Sequence, residues 1–141
     1  MRGLLVAITL LLGASAVVVG SERVFSGPET TPAYGVLVLR KVTVESELTD
    51  LSERFTNEHP SLEAKRFELR AISIEMDKMR GLEESQANKL SRTFGDLILS
   101  KIDLEVQLND LQGRLTWQHP DVTKKRVELA ALEREIEKLL L

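Results

Sequence analysis

The chain has 141 residues, no cysteine, 4% aromatic residues and a formal net charge of −3, with acidic and basic side chains interspersed. Disulfides, thiolate chemistry and cysteine-based zinc sites are excluded, and the basic face with base-stacking aromatics that marks a nucleic-acid binder is missing. A content of 43% hydrophobic and 29% charged residues suits helices whose seams are filled by Leu, Ile and Val.

Gly3 to Gly20 is uncharged and follows Arg2. A membrane-spanning helix needs roughly 20 apolar residues, so residues 1–20 are expected to be a transmembrane anchor or a signal peptide. Small residues at Ala14-Ser15-Ala16 would allow cleavage there. Val17, Val18 and Val19 carry the apolar run past that site and favour a retained anchor. Arg2 favours a cytoplasmic N-terminus, an asymmetry that Arg23 weakens. The rest of the chain is then exported. Gly13 to Ala16 would also let another membrane helix approach closely. Residues 21–33 hold Gly27, Pro28 and Pro32 and predict a short extended tether.

The remainder is a duplication. Sliding the chain by sixty residues aligns Tyr34–Met79 with Phe94–Leu139, with 19 of 46 positions identical. Repeats of this length are the signature of helical arrays. In the first copy Leu37, Lys41, Val44, Leu48, Leu51 and Phe55 recur in steps of three and four. Leu62, Lys65, Leu69, Ile72, Met76 and Met79 do the same after a His59-Pro60 break. The second copy repeats this around His119-Pro120. Steps averaging 3.5 residues are a coiled-coil seam. Proline is well tolerated at the first helical position and drives the residue before it out of the helical region. His59, Pro60, His119 and Pro120 are therefore expected to form hairpin turns; a continuous kinked helix is the rival. The predicted fold is all-α: the N-terminal helix, then two tandem antiparallel helical hairpins of coiled-coil type, at residues 34–80 and 94–141. Residues 81–93 would join them as a long through-running helix or a short helical connector.

An antiparallel register centred between Glu58 and His59 predicts cross-hairpin charge pairs. Asp50 would face the neighbourhood of Arg66, and Lys41 would face Glu75 or Met76; in the second copy Asp110 would pair with Arg126, and Lys101 with Glu135. The two histidines alone make a poor metal site, so capping is their expected role. The carboxylates lie beside Lys and Arg on helical faces and read as solvated surface. No catalytic, cofactor-binding or metal-ligating set is expected. Trp117 stands where the first copy has Asn57, either as a partner-facing anchor or as a cover for the turn.

The stretches RFTNEHPSLEAKRFEL and RLTWQHPDVTKKRVEL resemble the R-Y/F-T-x-x-H-P-x-V segments in the periplasmic coiled coils of bacterial polysaccharide chain-length determinant proteins. The chain also resembles short single-anchor proteins of acidobacterial type with two such repeats. The likeness covers about forty residues twice. It implies an exported helical scaffold, and without the family's long periplasmic region, second membrane helix or kinase domain it does not imply a polysaccharide co-polymerase. The expected function is a non-enzymatic scaffold or assembly protein of the inner membrane, single-pass with a periplasmic helical part. It would meet a protein partner or another copy through its helical faces. Alternatives are an accessory subunit of a larger membrane complex and, after signal cleavage, a soluble periplasmic adaptor or chaperone.

Overall fold

The computed structural model describes residues 27–141. The expected anchor or signal helix lies outside them; among the described residues no helix is long and apolar enough to cross a membrane. They are all helical, without strand. A 3-10 turn at Pro28–Thr30 leads into α1 (Pro32–Arg54), α2 (Pro60–Arg80), α3 (Glu84–Ala87), α4 (Arg92–Arg114) and α5 (Pro120–Leu140). α1 packs on α2 and α4 on α5, giving two hairpins, and α4 packs on both arms of the first.

The expected extended tether is overridden at its end. Pro28 and Pro32 each sit at a first helical position, where a missing N–H costs nothing. Thr31 caps α1 by accepting the Tyr34 N–H, and Ala33 is fully buried. The lead-in also closes the base of its hairpin: Glu29 accepts from Arg80 at the end of α2, at 2.8 Å. The second hairpin repeats this with different chemistry, the Lys89 ammonium donating to the Leu140 carbonyl at 3.1 Å.

Both turns are built alike. His59 caps α2 through Nδ1, which accepts the Ser61 N–H at 3.2 Å, and His119 accepts the Asp121 N–H at 3.3 Å. Each histidine N–H donates to the carbonyl of the threonine three residues back, Thr56 or Thr116, at 3.0 Å. Proline follows at the first helical position, and Leu62 or Val122 plugs the tip, each with no exposed surface. Between the hairpins Gly81 ends α2, α3 is a single capped turn, and Ser91 caps α4 by accepting the Phe94 N–H. The connector is thus short, and Gly95 lies inside α4.

The main core sits at the base. Leu37 and Val44 of α1, Ile72, Met76 and Met79 of α2, and Phe94, Ile98 and Ile102 of α4 form one cluster, with Ile136 of α5 at its edge. Gly95 sets how closely α4 approaches α1. A Cβ there would lie 2.9 Å from the Ala33 Cα, 3.0 Å from its carbonyl oxygen and 3.1 Å from the Val36 Cβ. Two of those atoms are backbone and cannot swing aside. Gly95→Ala is expected to cost about 1–3 kcal/mol by overpacking, despite the better helix propensity of alanine. Thermal unfolding followed by circular dichroism measures it; unchanged stability would mean that α4 does not rest on α1.

Candidate interaction surfaces

The expected charge pairs do not form, and the cross-hairpin pairs that do form follow a different register. Five residues, Phe55–His59, connect α1 to α2, and they centre on Asn57 rather than between Glu58 and His59. The side-chain pairs across the arms are displaced in the same direction. Glu47 pairs with Lys65, where the expected register would place Arg70. Arg40 donates to Glu68 at 2.7 Å, where it would place Asp77. Arg66 turns to the tip instead of Asp50, donating to the Asn57 carbonyl at 2.8 Å and to its side-chain oxygen at 3.1 Å. Asp110 pairs with Arg114, one turn along its own helix, rather than with Arg126. Lys41 reaches Glu45 at 3.7 Å, not Glu75, and Glu135 holds Lys138 at 2.7 Å, not Lys101.

Lys101 and Glu75 meet each other instead, across the two hairpins. The Lys101 ammonium lies 2.9 Å from Glu75, 2.6 Å from Glu105 and 3.9 Å from Glu133. Its side chain is 9% exposed and that of Glu75 is 8%. Lys78 adds a second hydrogen bond to Glu75 at 2.7 Å. Burial works against the charged form of Glu75, but the hydrogen bonds from Lys101 and Lys78 outweigh it and hold the carboxyl below the ordinary glutamate range. Burial likewise opposes the charge of Lys101, and its bonds to Glu105 and Glu75 more than offset this and raise it. A cleft of about 330 Å³ opens beside the pair, walled by Met79, Phe94, Ile98, Ile136 and Leu140. Of the carboxylates lining it, Lys101 reaches Glu75 and Glu133 but not Glu137, and among the described residues no group of three or more His, Cys, Asp or Glu is placed to hold a metal.

Two other surfaces are open. At the second tip Trp117 is 66% exposed, so it does not cover its turn. Without the asparagine of the first tip, Arg126 makes no side-chain hydrogen bond corresponding to that of Arg66 with Asn57. Along α1, Val38, Leu39 and Val42 are 37%, 72% and 59% exposed, beside Gly35. This stripe lies off the coiled-coil seam, and seam-based reading passes over it. A signal was present: the matching positions Ile98, Leu99 and Ile102 are apolar too, which a purely solvated face does not require. No protein family, curated protein or solved structure matches this chain.

Two measurements follow from this geometry. A group whose pKa falls on folding stabilises the fold above its unfolded pKa and loses that contribution as pH drops through the folded value; a raised lysine does so in reverse. Stability is therefore expected to fall on the acid side, as Glu75 takes a proton, and again above the ordinary lysine range, as Lys101 loses one. Glu75→Gln should flatten the acid limb and cost about 1–3 kcal/mol at neutral pH by leaving Lys101 less well partnered. Urea titrations across pH test both. At the tips, Trp117→Asn should give Arg126 the acceptor that Arg66 has and stabilise by about 0.5–1.5 kcal/mol, while Asn57→Ala should destabilise by a similar amount. A Trp117→Asn variant less stable than the parent would show that Trp117 packs on its own hairpin.

Proposed function

We propose that this protein is a non-enzymatic scaffold anchored in the inner membrane by residues 1–20, with its helical hairpins exported to the periplasm and working by helix packing. The observation that carries the reading is the apolar stripe of α1. Val38, Leu39 and Val42 project from a helix whose other face fills the core, and a contiguous apolar face at a helix surface is what a packing partner covers. The uncharged run Gly3 to Gly20 supports the anchor. The resemblance of the two His-Pro segments to periplasmic coiled coils supports the location, and the pairing of arms across five-residue turns supports a rod-like module of coiled-coil type.

Membrane fractionation, protease treatment of spheroplasts and intact mass of the extracted protein test this together. The expected result is a full-length species that needs detergent for release and is digested from the periplasmic side. A soluble species beginning at Val17 would replace the anchored scaffold with a released adaptor. Protection from protease would place the hairpins on the other side of the membrane and end the exported reading.

A further inference from the structure

We infer that copies of this protein assemble head to tail, repeating between chains the contact that already joins the two hairpins within one. The proposal deepens the scaffold reading and names its partner as a second copy. In the internal contact, α4 of the second hairpin lays Gly95, Ile98, Lys101 and Ile102 on the first hairpin, and all four are buried. Their repeat equivalents on α1 are Gly35, Val38, Lys41 and Val42. These have the same character and lie open: Val42 is 59% exposed where Ile102 is 1%, and the Lys41 side chain is 38% exposed where that of Lys101 is 9%.

The receiving side shows the reverse. Glu75 and Met79 of α2 are buried under the second hairpin, whereas their equivalents on α5, Glu135 and Leu139, are exposed. The Glu135 side chain is 63% exposed against 8% for Glu75, and Leu139 is 47% exposed against 2% for Met79. Among the described residues there is therefore one open donor face and one open receiving face, whose charges match as Lys101 matches Glu75.

Gly35 adds an independent observation. Gly95 is required by the Ala33 backbone, but a Cβ on Gly35 would meet nothing within 4 Å. A glycine inside a helix is unfavourable relative to alanine, and nothing among the described residues calls for it. A copy whose Thr93 approached as Ala33 approaches Gly95 would. The proposed donor and receiving faces are different surfaces, so the contact joins unlike sides of two copies. A contact between different faces that does not close on itself propagates.

Sedimentation of the full chain in detergent micelles tests this, using Val42→Asp to block the donor face and Leu139→Asp to block the receiving face. Both sites are exposed, and circular dichroism checks that helicity is kept. The parent should form a concentration-dependent series of oligomers, and each variant alone should stay monomeric. An equimolar mixture of the two should form dimers and nothing larger, because one intact contact remains per pair. Lys41→Glu should weaken association, and adding Glu135→Lys in the same chain should restore it. Gly35→Ala should weaken association about tenfold or more by overpacking, without lowering the unfolding temperature. A parent that stays monomeric, a mixture that stays monomeric, or oligomers indifferent to both aspartates would overturn the proposal. These outcomes leave the fractionation result untouched, so failure of self-assembly and failure of the anchored reading are separable.

Discussion

Everything in this fold depends on how closely α4 lies against the first hairpin. A hairpin of two helices about twenty residues long has one seam, and once closed it still shows apolar surface on its flanks. The close approach at Gly95 brings Phe94, Ile98 and Ile102 onto Leu37, Ile72 and Met76 and turns two thin seams into one core. That approach also removes Lys101 from water. Its burial is tolerated because Glu75 and Glu105 meet it at hydrogen-bond distance; an ion taken out of water without such partners would cost several kcal/mol.

The two hairpins share one sequence pattern, with 19 of 46 positions identical, and are unequal in circumstance. Their local devices are kept in both copies: the histidine cap, the proline at the first helical position, the plug at the tip, and the pairs of Lys65 with Glu68 and Lys125 with Glu128 along one helix. The differences arise at the edges. Lys41 and Lys101 occupy the same repeat position, yet one reaches only its own helix and the other binds across hairpins. A residue's partner here is decided by which flank of the array it faces, a property of the repeat's place and not of its sequence.

Much of the helical layout was legible because it is local. The three-and-four spacing, the proline breaks and the capping residues each act within a turn or two of chain. The charge pairs were not, for two reasons. Register depends on where the turn is centred, and with the centre at Asn57 rather than at the Glu58–His59 bond, Lys65 pairs with Glu47 and Arg66 turns to the tip. The pair of Lys101 with Glu75 belongs to the contact between hairpins, which pairing within a hairpin does not consider. Gly95 illustrates the same point: read along the chain it interrupts a helix, and only the neighbouring Ala33 backbone shows why it is there.

The placement of α4 has a consequence for how the molecule comes apart. α4 touches α1, α2 and α5, whereas α5 rests mainly on α4. The last helix buries only Val122 near the tip and Ile136 near the base. Amide hydrogens along α5 therefore belong to the least protected unit of the fold, exchanging through an opening that leaves the three-helix body intact, while those of α4 wait for its global unfolding.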